Sequence, residues 1–193
     1  MPFGPRKPRK PPEPLDDAAL YQYALAALGR RMKTVAELKR GMRRRVEPGP
    51  IGEAKMDRIV IRLKEYHFLD DSRYATEYTR LRQSNEKFGQ RRVRQELMQR
   101  GVHGDIVTDT LETSYANIKE EDLAFAHLER KRAKPPKNEK EIARLAGRLA
   151  RAGFSSTAIF KALRRLKANE EVVAAMETAE EPEDELSAGL ADD

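Results

Sequence analysis

From Ala18 to Leu166 the apolar residues of this chain recur three and four positions apart, and no stretch alternates apolar and polar residues as a half-buried strand does. Met56, Ile59, Val60 and Leu63 follow the pattern, and so do Ile142, Leu145 and Leu149. Each run places one apolar stripe on a helix, so the chain is predicted to be all-α. The stripes are narrow. Hydrophobic residues make up 39% of the 193 residues and charged residues 36%. Such a chain buries only a thin core, which argues against a bulky globular enzyme and for small helical modules.

Nine helices are predicted. The first runs from about Ala18 to Arg30 behind Asp16 and Asp17, with Leu20, Tyr21, Ala24, Leu25 and Leu28 on one face. The second opens at Thr34-Val35-Ala36-Glu37, a capping box in which Thr34 takes one orphan N–H and Glu37 reaches back to another. It ends before Pro48-Gly49-Pro50, and the third spans about Glu53 to His67. The fourth starts at Asp70 or Asp71 and turns Tyr74, Ala75, Tyr78 and Leu81 inward. The fifth lies between Gly89 and Gly101 with Val93 and Leu97 inward, and the sixth runs from Gly104 to Tyr115. The seventh spans about Glu120 to Arg132, closed by Pro135-Pro136. The eighth spans Glu139 to Ala152, and the ninth follows Ser155 with Ile159, Leu163 and Leu166.

The chain also repeats. Leu97-Met98-Gln99-Arg100-Gly101-Val102 matches Leu149-Ala150-Arg151-Ala152-Gly153-Phe154, and Leu111 and Leu163 stand nine residues after Val102 and Phe154. A long helix precedes each pair, and the first three helices keep the same order. Three tandem three-helix repeats of helix-turn-helix type follow: residues 16–68, 69–117 and 118–168. One unit of about 50 residues has a marginal core, so the units are expected to stack into an elongated, curved array. Residues 1–15 are Pro-rich and basic and read as a disordered arm. Residues 169–193 read as an acidic, partly disordered tail.

The net charge of +6 conceals a polarity. From Ala168 to Asp193 there are ten acidic residues and no Lys or Arg; the remaining 167 residues carry 38 basic and 22 acidic side chains, a balance of +16. A body that basic suits a polyanion, nucleic acid being the commonest, or is simply a well-solvated surface. The clusters are Arg43-Arg44-Arg45, then Arg91, Arg92, Arg94 and Arg100, then Arg130-Lys131, and last Arg164-Arg165. Arg43 to Arg45 sit where cations also favour a helix C-terminus. Arg91, Arg92 and Arg94 cannot all pair with the single nearby Glu96, so some should face solvent or a phosphate. Tyr74 and Tyr78, four apart, either stack on bases or pack inward, and the neighbouring Ala75 and Leu81 favour packing.

No catalytic constellation stands out. His67, His103 and His127 are far apart and have no metal-ligand spacing. Asp70-Asp71 has the look of an acid–base or metal pair, but a helix opens directly after it, which favours a cap. Gly49 and Gly52 are not followed by the Lys-Ser/Thr of a phosphate loop. Without cysteine no disulfide or thiolate site can form. No cofactor, no metal and no enzymatic activity are expected. No apolar run approaches the about 18–20 residues of a membrane span, and Met1 to Pro14 lacks the apolar core of a secretory signal. A cytoplasmic protein without membrane contact is expected.

Four blocks together resemble one family. Phe68-Leu69-Asp70-Asp71-Ser72-Arg73-Tyr74-Ala75 resembles the signature of the RecX proteins, and Gly89-Gln90-Arg91-Arg92-Val93-Arg94-Gln95-Glu96-Leu97 with Arg100-Gly101-Val102 resembles their next block. Ala24 to Leu28 with Arg31, Thr34, Glu37 and Leu38 fits upstream; Arg151-Ala152-Gly153-Phe154-Ser155 with Ile159 and Leu163 fits downstream. The likeness spans about residues 18–166. Gly41, inside a helix at a cost of about 1 kcal/mol against Ala, and the run from Arg43 into Pro48-Gly49-Pro50 depart from it.

The resemblance implies a regulator that binds the groove of a RecA–DNA filament and limits its growth. It implies inhibition of the filament's ATPase, recombinase and coprotease activities, and so a role in DNA repair, recombination and the SOS response. The expected partners are the RecA filament and, weakly, single- or double-stranded DNA, with the protein a monomer. The other reading is a stand-alone DNA-binding protein built of helix-turn-helix units.

Overall fold

A computed structural model describes residues 13–167 and 170–180. The basic arm, apart from residues 13–15, and the tail beyond residue 180 lie outside the described residues. Among the described residues every regular element is helical, and the protein is all-α. The helices are α1 (Asp17–Arg30), α2 (Val35–Met42), α3 (Pro50–Glu65), α4 (Asp71–Leu81), α5 (Gln90–Gln99), α6 (Gly104–Tyr115), α7 (Glu120–Arg130), α8 (Glu139–Arg151), α9 (Ser156–Arg165) and α10 (Glu170–Glu180). A 3-10 turn, Arg43–Arg45, follows α2, and a π-helical turn, Arg82–Glu86, follows α4.

Two compact units share these helices. The first takes the chain through Glu77 together with Leu97–Val107; the second takes Tyr78–Glu96 and everything from Thr108. Helices α4, α5 and α6 each contribute to both.

In the first unit α1, α2 and α3 pack on one another. Their core is Leu20, Ala24, Leu38, Met42, Met56, Ile59, Val60 and Leu63, with Tyr21, Leu25 and Leu28 partly buried against it. The Asp16 carboxylate caps α1 by accepting from the Ala19 N–H at 2.7 Å. Helix α3 starts at Pro50 rather than Glu53, because proline at the first helical position has no N–H to lose and a preset φ. Gly41 has its reason here too: a Cβ there would lie 3.3 Å from the Tyr23 hydroxyl.

In the second unit α7, α8 and α10 pack on α9. The core holds Leu128, Ile142, Leu145, Leu149, Phe154, Ile159, Phe160 and Leu163. Asn138 caps α8 through the Glu141 N–H, and Ser155 caps α9 through the Ala158 N–H. Helix α10 corrects the sequence expectation, which has no helix after the ninth. Val173 is fully buried in this core, with Val172 and Met176 against it, so an apolar stripe overrides the acidic composition.

Helix ends recur in one geometry. The N–H of Val102 reaches the Leu97 carbonyl at 3.2 Å and that of Phe154 the Leu149 carbonyl at 3.3 Å, around Gly101 (φ 79°) and Gly153 (φ 92°). This is the six-to-one bond of a left-handed helix stop, which favours glycine. The same closure appears at Phe68–Leu63 and Ala133–Leu128, but there the left-handed residues are His67 and Arg132, at φ 56° and 51°. Arg132 therefore lies outside α7, which is two residues shorter than the sequence reading has it. Leu81 also differs: it is exposed, and Thr79 is the buried residue on that turn. Thr79 stands four residues after the buried Ala75 and so continues its stripe.

Candidate nucleic-acid interface

Asp70 and Asp71 divide two tasks. The Asp70 carboxylate accepts from the N–H groups of Ser72 (2.8 Å) and Arg73 (3.0 Å), capping α4. Asp71 instead accepts from the Val35 N–H at the start of α2, at 2.9 Å. Burial pushes the Asp71 carboxyl above its usual value, against the pull of that hydrogen bond. Tyr74 and Ala75 are buried. The glycines of the sequence motif each permit a close approach within one unit. A Cβ on Gly101 would lie 2.4 Å from that of Ala36, and one on Gly89 would lie 2.3 Å from the Gly153 carbonyl oxygen. Gly89 also donates its N–H to the Ala152 carbonyl at 2.9 Å.

Most of the basic candidates are engaged internally. In the second unit Glu96 is the hub. It accepts from the Tyr78 hydroxyl at 2.6 Å and from Arg92 Nε at 2.8 Å, and it pairs with Arg82 at 3.0 Å. Burial, the largest influence, pushes the Glu96 carboxyl up, but the Tyr78 hydrogen bond and the two guanidinium groups together hold it below its usual value. Arg94 donates to the Thr108 hydroxyl at 3.1 Å. Arg130 pairs with Glu86 at 3.2 Å. Arg164 is clasped by Glu170 at 2.9 Å and Glu177 at 2.5 Å; Arg165 pairs with Asp122 at 2.5 Å and lies over the Phe125 ring. Only Arg91 and Lys131 of this unit's candidates have no hydrogen bond or ion pair among the described residues, and both are exposed.

The first unit holds the other cluster. Arg43 makes two hydrogen bonds to Glu53, at 2.9 and 3.1 Å. The Arg45 guanidinium lies 4.2 Å from the centre of the Tyr23 ring. Arg100 donates to Glu37 at 2.7 Å. That pairing replaces half of the expected capping box: Thr34 accepts from the Glu37 N–H at 3.0 Å, but the Glu37 side chain turns to Arg100 rather than back to Thr34. Arg44 is exposed and has no ion pair among the described residues.

Arg44 and Arg45 line a groove of about 600 Å³ together with Arg31, Lys33 and Arg40, as well as Tyr23, Glu37 and Gly41. Arg31, Lys33 and Arg40 are absent from the sequence candidates. The signal was present, since Arg40 stands four residues before Arg44 and such pairs share a helix face. Reading Arg43–Arg45 as a run hid the periodicity.

His67 and His103 line one surface pocket of the first unit, with Asp70 and Asp71. His67 and His103 are exposed, and His127 is buried with Nδ1 at 2.9 Å from the Glu86 carbonyl. Among the described residues no group of His, Cys, Asp and Glu is placed to hold a metal ion, and no helix is long and apolar enough to cross a membrane.

Known proteins resemble this chain along most of its length. A family model described as RecX, second three-helix domain, matches residues 70–111. The regulatory protein RecX of Mycolicibacterium vanbaalenii is 30% identical over 153 residues, covering 76% of this chain and 81% of that protein. That of Thermobifida fusca is 32% identical over 143 residues, covering 72% and 74%. That of Bacillus cytotoxicus is 28% identical over 149 residues, and there the chain spans about half of its relative, 53%. Two solved structures share the fold. The crystal structure of RecX from Lactobacillus salivarius aligns with a TM-score of 0.63 at 18% identity, covering 78% of this chain and 96% of that one. A crystal structure of regulatory protein RecX aligns with a TM-score of 0.64 at 21% identity, covering 77% and 73%.

Proposed function

Because the chain belongs to the RecX family of regulatory proteins, we propose that it acts on filaments of the recombinase RecA assembled on DNA, and that it restrains them. It lowers their ATPase, recombinase and coprotease activities by occupying the filament, without catalysis of its own. The observation that carries this reading is family membership, at 30–32% identity over roughly three quarters of the chain.

The surface supports a polyanionic or nucleoprotein target. Exposed cations with no partner among the described residues, Arg44, Arg91 and Lys131, are the first contacts we assign, because they give up no such ion pair on binding. Arg43, Arg92, Arg94, Arg100, Arg130, Arg164 and Arg165 must first exchange a partner within the fold. In this reading Asp70, Asp71, Tyr74, Ala75, Gly89, Gly101 and Gly153 act structurally. The protein acts as a monomer in the cytoplasm, as three helical repeats over residues 16–68, 69–117 and 118–168, and serves DNA repair and recombination.

The test is the single-strand-DNA-dependent ATPase of RecA from the same organism, with this protein titrated in. Inhibition well below a stoichiometric ratio to RecA is expected. No inhibition at an excess that binds DNA would instead favour a stand-alone DNA-binding protein.

A further inference from the structure

The groove beside α2 is positively charged beyond anything the fold requires. Five cationic side chains line it against one carboxylate, Glu37. That carboxylate is already committed to Arg100, and its side chain is only 12% exposed. Arg31, Lys33, Arg40 and Arg44 have no hydrogen bond or ion pair among the described residues. Structural arginines elsewhere in this unit behave differently, Arg43 being held by Glu53 and Arg58 by Asp17. Four cations without a partner among the described residues, gathered around one concavity, give it a positive potential that attracts an entering anion.

The geometry also limits what that anion is. The cations come from two segments, Arg31 and Lys33 after α1, and Arg40, Arg44 and Arg45 on α2 and the turn that follows. They line a groove of about 600 Å³ that is open to solvent and so admits an extended polyanion. Arg45 is fixed against the Tyr23 ring, whose hydroxyl donates to the Gly41 carbonyl at 3.4 Å. One wall is therefore held in place before anything binds.

We propose that this groove is a binding site for the phosphodiester backbone of nucleic acid, with Arg31, Lys33, Arg40 and Arg44 as its phosphate contacts and Arg45 on Tyr23 as its fixed wall. The assignment deepens the proposed function but does not depend on RecA. Arginine forks match phosphate oxygens, and backbone contacts of this kind carry no base preference.

The experiment compares the full chain with Arg31→Ala/Arg40→Ala/Arg44→Ala and, as a control of equal charge outside the groove, with Lys137→Ala/Lys140→Ala/Arg144→Ala, three exposed cations with no assigned contact. Fluorescence anisotropy follows binding of a labelled oligothymidylate, a duplex of equal length and a polyglutamate peptide over a range of salt. Circular dichroism confirms folding. The triple variant should lose affinity, and its slope of log K against log salt on the single strand should fall by about 2, three contacts at about 0.7 each. The comparison of single strand with duplex reports which form the groove takes. An unchanged slope in the folded triple variant overturns the site. So does an equal loss in the control triple variant, which would mean diffuse attraction to net charge, or polyglutamate binding as tightly as the oligonucleotide. RecA ATPase inhibition is read in parallel: lost oligonucleotide binding with inhibition intact supports the groove while separating it from the action on RecA.

Discussion

The Thr34 hydroxyl donates to the backbone carbonyl of Arg100 at 2.7 Å, across 66 positions of sequence, while it accepts the Glu37 N–H at 3.0 Å. One fully buried oxygen thus caps α2 and satisfies the carbonyl beside the left-handed Gly101. The Arg100 guanidinium completes the link by reaching Glu37 at 2.7 Å. Thr34→Val keeps the shape and removes both hydrogen bonds. It should cost about 2 kcal/mol, roughly one for the cap and one for the carbonyl left unpaired. The urea midpoint measures it, and Thr34→Ser should recover most of the loss. A Val variant as stable as the parent would show that the hydroxyl contributes nothing.

Gly153 combines a left-handed backbone with a contact no side chain tolerates, since a Cβ there would sit 2.3 Å from the Arg92 backbone nitrogen. Gly153→Ala should destabilise the fold by more than about 2 kcal/mol. Gly104→Ala is the contrast. Gly104 opens α6 with nothing within 4 Å of its would-be Cβ. That change should be neutral or stabilising by up to about 1 kcal/mol. Thermal melts of the two variants should move apart.

His127 gives the fold a pH dependence. Burial holds its imidazole below the usual 6.5, and the charges of Lys131, Arg130 and Arg148 add to this against the Glu86 carbonyl. The unfolded chain therefore takes up a proton near pH 6.5 while the folded chain does not. Between the two values the unfolded state binds more protons, so stability rises with pH and is lost as pH falls below about 6.5. The melting temperature should drop from pH 7 to pH 5, and less steeply in His127→Gln. Parallel pH profiles for the two proteins would rule this histidine out as the source.

Helix α10 couples the acidic segment to the second unit. Val173→Asp should undock it, forfeiting apolar burial worth roughly 1.5–3 kcal/mol and reducing helical ellipticity. The undocked chain should also bind oligonucleotide more tightly at low salt, because Arg164 loses Glu170 and Glu177. Unchanged ellipticity and unchanged binding together would show that α10 does not hold Arg164 back.

Most of the helices were legible because their caps and stripes are local. Asp16, Thr34, Asn138 and Ser155 each stand one residue before a helix and each caps it. Gly101 and Gly153 likewise announced their left-handed stops. What the sequence hid is what depends on partners distant along the chain. Nothing local says that Glu37 prefers Arg100, that Asp71 serves Val35, or that Glu96 collects Tyr78, Arg82 and Arg92. For the same reason the arginine-rich stretch at Arg91–Arg94 looked freer than it is, and the groove at Arg40 and Arg44 went unnoticed. Counting cations reveals charge, but only pairing reveals which charge is available.

The left-handed helix ends without glycine point to a route for engineering. His67, Lys87, Arg132 and Lys167 hold φ between 51° and 58°, a region that disfavours a Cβ by about 1–2 kcal/mol. Glycine at each would relieve that strain at the smaller cost of added freedom in the unfolded chain. None of the four belongs to the proposed groove. A sturdier protein for crystallisation or for filament-binding assays is therefore within reach of four substitutions that leave the groove's own lining untouched.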